Sequence, residues 1–112
     1  MKSEVKELWT AALESGKYKQ GRGVLRDDRQ QFCCLGVLAD LHRKETGGRW
    51  KVQSRGDDFR AYLGSTGVLP QEVMDWAGLE QENPPAGSLS LAEHNDNGNS
   101  FAKIASIIRN HL

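Results

Sequence analysis

The sequence predicts an α+β fold: one domain over residues 1–112, with about four helices around a buried central helix and two to four short antiparallel strands. Three observations point there. The run from Phe32 to His42, Phe-Cys-Cys-Leu-Gly-Val-Leu-Ala-Asp-Leu-His, shows no polar residue until Asp40 and His42, and a helix apolar all round needs neighbours on every side. Amphipathic helical stripes stand near both ends of the chain. Between them lie short alternating stretches bounded by turn residues, which is strand character.

Taken in order, Val5, Leu8, Trp9, Ala12 and Leu13 recur at i, i+3, i+4, i+7 and i+8, a helical stripe that Ser3 can cap and Gly16 can end. Val24 to Arg26 and Gln30 to Phe32 can pair as a hairpin across Asp27-Asp28-Arg29. Within the central helix, Gly36 costs about 1 kcal/mol relative to Ala, which is tolerated where another backbone comes close. The helix should stop at Gly47-Gly48, with His42, Arg43 and Lys44 in its last turn, where the helix dipole favours cations.

Trp50 and Val52 then alternate with Lys51 and Gln53, the pattern of a half-buried strand. Residues 54–60 read as a polar loop, and the Arg-Gly-Asp at 55–57 as a chance tripeptide. Pro70 opens a short helix through Val73, Met74 and Ala77 that ends at Gly78. Residues 80–87 read as an extended loop, Leu89 and Leu91 alternating with serines as a second strand, and residues 93–100 as a polar loop. Phe101, Ile104, Ala105, Ile108 and Leu112 stripe the last helix, capped by Asn99 or Ser100.

A chain of 112 residues, 38% hydrophobic and 27% charged with 12 glycines, suits one loop-rich globular domain. No apolar run approaches the roughly 20 residues of a membrane span, and the first residues lack the apolar core of a signal peptide, so a cytoplasmic protein is expected. Cys33 and Cys34, the only cysteines, are adjacent; this suits neither a disulfide framework nor a zinc site, and buried reduced thiols are the plain reading. Histidines 42, 94 and 111 stand far apart, so no metal and no cofactor is expected.

The net charge of zero is unevenly spread. From Lys17 to Arg60 there are eleven Lys or Arg against six Asp or Glu, net +5; from Ala61 onward there are two against six, net −4; the first sixteen residues give −1. A basic half facing an acidic half suits an anion site, or contacts between copies in a homo-oligomer. Arg22, Arg26, Arg29, Arg49, Lys51, Arg55 and Arg60 with Tyr18 and Trp50 interleaved offer phosphate contact and stacking, but the neutral total argues against a dedicated nucleic-acid binder. The same arginines suit a small phosphorylated ligand.

The polar segment His94-Asn95-Asp96-Asn97-Gly98-Asn99-Ser100 precedes a helix, where backbone N–H groups and the dipole attract anions; turn and cap chemistry explains the same residues structurally. Arg22, Arg26, Asn95, Asp96, Asn97, Asn99 and Ser100 are therefore the candidate ligand contacts. Cys33 near a helix N-terminus, with a histidine as base, is the candidate set for a small thiol enzyme. No catalytic set beyond that emerges.

Trp9-x-x-Ala12-Leu13-x-Ser15-Gly16-x-Tyr18-x-Gln20-Gly21, Cys33-Cys34-Leu35-Gly36-Val37-Leu38, Leu69-Pro70 with Trp76-x-Gly78-Leu79, and Asn95-Asp96-x-Gly98-x-Ser100-Phe101-x-x-Ile104-Ala105 together resemble a widespread group of short bacteriophage proteins of uncharacterised function. In that group an apolar residue is more frequent where His94 stands, which weighs against a catalytic His94. The resemblance implies a non-enzymatic accessory protein in the host cytoplasm, occupying a host partner or sequestering a small anionic, nucleotide-like ligand, with a counter-defence role by analogy. A small thiol- or histidine-dependent enzyme using Cys33 and a protein–protein module with an apolar patch at Trp50 or Trp76 are the alternatives.

Overall fold

The computed structural model describes residues 1–52 and 58–112. Gln53, Arg55 and the tripeptide at 55–57 lie outside the described residues. Among the described residues the chain runs α1 (Ser3–Glu14), β1 (Lys19–Gln20), β2 (Arg26–Asp27), β3 (Gln31–Phe32), α2 (Cys34–Thr46), β4 (Trp50–Val52), β5 (Phe59–Tyr62), α3 (Gln71–Ala77), β6 (Pro85–Ala86), β7 (Leu89–Ser90), α4 (Leu91–Asp96) and α5 (Phe101–His111). The α+β class holds. Five helices and seven strands replace the four helices and two to four strands expected.

The central helix is as buried as its composition demands. Residues 32–42 are all buried, and α2 packs against α1, α3 and α4. It begins later than expected, because Cys33 is its N-cap and Phe32 belongs to β3; Gly47, left-handed with φ of 77°, ends it. Gly36 is where the chain crosses: a Cβ there would stand 1.8 Å from the Leu25 carbonyl oxygen. The Trp9 indole, fully buried, donates from Nε1 to the Cys34 carbonyl at 3.0 Å and ties α1 to the start of α2.

The main sheet has the order β1-β3-β2-β5-β4. The expected hairpin is present as β2–β3, but β1 joins β3 in parallel, so the all-antiparallel expectation is corrected. Asp27 shapes the hairpin turn, its Oδ1 accepting from the Arg29 and Gln31 N–H groups at 2.8 and 2.9 Å, while Gln30 takes φ of 59°. Register places Arg26 opposite Phe32 and Arg60, and Trp50 opposite Tyr62, so these side chains share one face by strand alternation. Lys51 and Ala61 face the other way.

Several local expectations change for identifiable reasons. Leu8 is exposed and Thr10 buried on α1, since Thr10 Oγ1 satisfies itself on the Lys6 carbonyl at 2.9 Å; Lys2, not Ser3, occupies the cap position. Val52 is exposed, so β4 is less buried than its alternation suggested. Pro70 is the N-cap of α3 rather than its first residue. The strand expected over Leu89 and Leu91 stops at Ser90, where a reciprocal capping box with Glu93 opens α4 and turns half of the expected polar loop into helix. Pro85–Ala86, expected as loop, pairs with β7.

The buried His42 sits in an aromatic nest, with Nδ1 2.6 Å from the Tyr62 hydroxyl and its ring edge-on to Trp76 at 5.3 Å. Burial lowers its pKa below the ordinary 6.5, although Glu72 opposes the change. The unfolded chain then binds a proton there that the folded chain resists, so stability is whole above pH 6.5 and declines as pH falls below it. The decline ends once the folded imidazole is itself protonated. Urea midpoints taken from pH 8 to pH 5 should show this step, and His42→Gln should flatten it; a step unchanged in the variant refutes the assignment.

Candidate functional site

The lead-in to β1, the β2–β3 hairpin, the middle of α2 and the start of β4 meet around an open cleft of about 630 Å3. Lys17, Lys19, Arg26, Arg43, Lys44 and Arg49 line it, against the single carboxylate of Asp40. Tyr18, Phe32 and Trp50 supply aromatic surface. Helix and strand periodicity explain the convergence: Arg43 and Lys44 lie three and four residues after Asp40 on one face of α2, while Arg26, Phe32 and Trp50 come from the facing side of the sheet.

Asp40 organises the floor. Its Oδ1 accepts from Arg43 Nε at 2.6 Å and Trp50 Nε1 at 2.9 Å, and its Oδ2 from the Tyr18 hydroxyl at 2.6 Å. Burial pushes this carboxyl up, but the hydrogen bonds from Arg43, Tyr18 and Trp50 outweigh it and hold the group below its ordinary value. Burial, reinforced by Asp40, in turn raises the Tyr18 phenol. Asp40 is thus ionised at neutral pH, and the carboxylate is committed to orienting an arginine and two aromatic rings.

Arg26 is arranged differently. Its guanidinium lies 5.8 Å from the ring centroids of both Phe32 and Trp50, cation–π distances. Its Nε is buried and has no hydrogen-bond partner among the described residues. Among the described residues the whole Arg26 side chain accepts no anion in ion-pair contact. Burial lowers its pKa, with Asp40 countering; an arginine stays charged regardless. A buried N–H without a partner costs about 1–3 kcal/mol, so this geometry carries stored cost at a cationic centre.

The candidate contacts named from the sequence divide into two places. Arg26 lines the cleft; Arg22, Asn95, Asp96, Asn97, Asn99 and Ser100 do not. Arg22 reaches instead toward Gly98, its Nη2 3.3 Å from where a Cβ there would project. Asn95, fully buried, receives Gln20 Nε2 at 2.9 Å and the Cys34 N–H at 3.2 Å on Oδ1 and donates to the Gly21 carbonyl at 2.8 Å. Asp96 Oδ1 accepts from the Gly23 N–H at 3.1 Å, and the Asn99 carbonyl from Gln20 Nε2 at 2.8 Å. Asn97 ends α4, and Ser100 caps α5 through the Lys103 N–H. This segment clasps the loop after β1 to the last two helices, so one shared pocket with Arg26 is not formed.

Cys33 and Cys34 are free and buried, and Cys34 Sγ points to the Leu91 carbonyl at 3.4 Å. Burial pushes the Cys33 thiol up to about 11, which disfavours the thiolate a nucleophile needs. His94 is engaged on both nitrogens, with the Ala86 carbonyl at 2.9 Å and Asn99 Nδ2 at 3.2 Å. Among the described residues no group of three or more His, Cys, Asp or Glu is placed to hold a metal ion. No helix among them is long and apolar enough to cross a membrane.

Sequence reasoning singled out Arg26, Arg49, Tyr18 and Trp50, but not Asp40, Arg43 or Lys44 as cleft residues. The signal for Asp40 was a lone carboxylate inside an otherwise apolar helical run, where an unpaired charge is too costly to persist.

A small α+β domain with a cationic, aromatic-walled cleft is the class of protein that this fold and site define. A family model described as a domain of unknown function (DUF8296) matches residues 1–112, and the chain belongs to that family. No curated protein matches the chain, and neither does any solved structure.

Proposed function

We propose that the protein is a non-catalytic binder of a small anionic, nucleotide-like ligand, held in the cleft between α2 and the sheet. The observation that carries this reading is Arg26: a cleft-lining guanidinium over two aromatic rings, with no ion pair among the described residues, amid five further cations. A phosphate would be held by charge-assisted hydrogen bonds from the arginine forks of Arg26 and Arg43, and a planar base would lie against Trp50 or Tyr18. No chemistry is required of Asp40, whose lone pairs already serve Arg43, Tyr18 and Trp50. The resemblance to short phage proteins supports a sequestering role in an infected host cell, where holding a nucleotide suffices.

Titration with AMP, inorganic phosphate and adenosine at low salt tests this. AMP should raise the melting temperature with the logarithm of its concentration, and adenosine should not. Arg26→Gln should weaken AMP binding by about tenfold or more while leaving stability within about 1 kcal/mol of wild type, since the unpartnered buried Nε–H and the two cation–π contacts are lost together. A response flat across all three compounds, or an Arg26→Gln variant that binds AMP as well as wild type, overturns the reading.

A further inference from the structure

A second concavity, of about 560 Å3, lies beside the first and is lined by Gly47, Arg49, Lys51, Ala61, Leu63 and Gly64. Arg49 lines both. The register explains the relation: Trp50, which lines the cleft, shares a face with the buried Tyr62, whereas their neighbours Lys51 and Ala61 are paired on the reverse face of the same two strands. Strand β4 is an edge strand of the main sheet among the described residues, and Arg49, just ahead of it, is the residue that the two hollows share.

The floor of the second concavity has an unusual backbone. Tyr62 and Ser65 exchange both backbone hydrogen bonds, at 2.8 and 2.9 Å, around a two-residue turn in which Leu63 has φ of 49° and Gly64 of 85°. Two positive φ values define the turn that selects Asn-Gly, because a branched apolar side chain is strained there. Leu63 occupies the strained position and is nevertheless 46% exposed, so its side chain gains little from the core. Strain retained at an exposed apolar residue points outward, to something that residue contacts.

Resting on the proposed nucleotide-like ligand, we infer that the ligand has two nucleotide units joined through phosphate: one in the Arg26 cleft, the linking phosphate at Arg49, and the second unit against Leu63 beside Lys51. A mononucleotide would leave Lys51 and Leu63 unused. A dinucleotide engages both hollows, and its extra phosphate meets the cations at the rim.

The test compares AMP with the linear dinucleotide pApA on the intact protein. The dinucleotide should bind about tenfold or more tightly than AMP, with a steeper dependence on salt. Leu63→Asn, which suits the turn, should raise the melting temperature by about 4 °C while lowering affinity for pApA several-fold and leaving AMP unchanged. Lys51→Gln should reduce the pApA salt slope by about one and leave the AMP slope alone. If AMP binds but pApA binds no better, or if either variant leaves pApA unaffected, the two-unit inference fails and the cleft reading stands. Should Leu63→Asn lower the melting temperature and both affinities alike, Leu63 is structural and the inference also fails. Absence of binding by both compounds removes the inference together with the reading beneath it.

Discussion

Gly36→Ala is expected to destabilise the protein by about 3 kcal/mol or more, lowering its melting temperature by about 12 °C or more. On propensity alone the substitution would favour helix by about 1 kcal/mol, so the expected sign comes entirely from packing. The added Cβ would stand 1.8 Å from the Leu25 carbonyl oxygen, 2.6 Å from its carbonyl carbon and 3.1 Å from its Cα, and backbone atoms cannot swing aside as the end of a side chain can. Leu25 is itself pinned: it is fully buried, its N–H donates to the Thr66 carbonyl at 2.7 Å, and its carbonyl accepts from the Cys33 N–H at 3.3 Å. Relief therefore requires separating α2 from the β2 hairpin, whose Arg26 and Phe32 form one wall of the cleft. Gly67 is the control, since a Cβ there meets nothing within 4 Å; Gly67→Ala should leave the urea midpoint nearly unchanged. Equal midpoints for Gly36→Ala and wild type would show that the Leu25 backbone yields to the added carbon and that the crossing does not depend on glycine.

What could be read in the sequence was the part dictated by periodicity. The Phe32 to His42 run had no polar face to offer solvent, so burial on all sides followed, and the glycine within it signalled a close backbone approach. The stripe at Phe101, Ile104, Ala105 and Ile108 is likewise the buried face of α5. The pattern failed where two side-chain hydrogen bonds decide the matter: Ser88 to Ala92 alternates like a strand, yet the Ser90–Glu93 capping box converts the chain to helix from Leu91. Asn95 shows the same limit at the candidate site. As a sequence it belongs to a polar loop suited to a ligand; in the fold it is fully buried, joining Gln20, Gly21 and Cys34 across long chain separations that no local pattern encodes. Arg26 was recognisable as a basic residue near Tyr18 and Trp50, but its separation from Arg22 depended on β2 pairing with both β3 and β5.

Asp40→Asn should be the most damaging substitution among the cleft residues, costing about 3 kcal/mol of stability and weakening AMP binding with it. Three donors converge on this carboxylate, from Arg43, Trp50 and Tyr18, and an amide offers one acceptor oxygen while its NH2 opposes a donor on the other side. The amide oxygen can take the place of Oδ1 and still accept from Arg43 and Trp50, and the Tyr18 hydroxyl can turn its proton away from the NH2, so the loss is the negative charge that pairs the Arg43 guanidinium and strengthens all three bonds. The effect has a pH signature. Because the folded-state pKa of Asp40 is depressed below its ordinary 3.8, its contribution is present above that value and fades as pH falls through 3.8 toward the folded pKa. Urea midpoints of wild type and Asp40→Asn should therefore differ at pH 7 and converge at low pH, where the wild-type carboxyl is protonated too. Arg26→Gln separates the two roles at this site: it weakens AMP binding with most of the stability retained, because Arg26 makes no ion pair among the described residues and gives up only its contacts with Phe32 and Trp50, whereas Asp40 holds three donors. If Asp40→Asn kept wild-type stability at pH 7, the carboxylate would not be the element that holds the aromatic walls in place, and the cleft would owe its shape to the sheet alone.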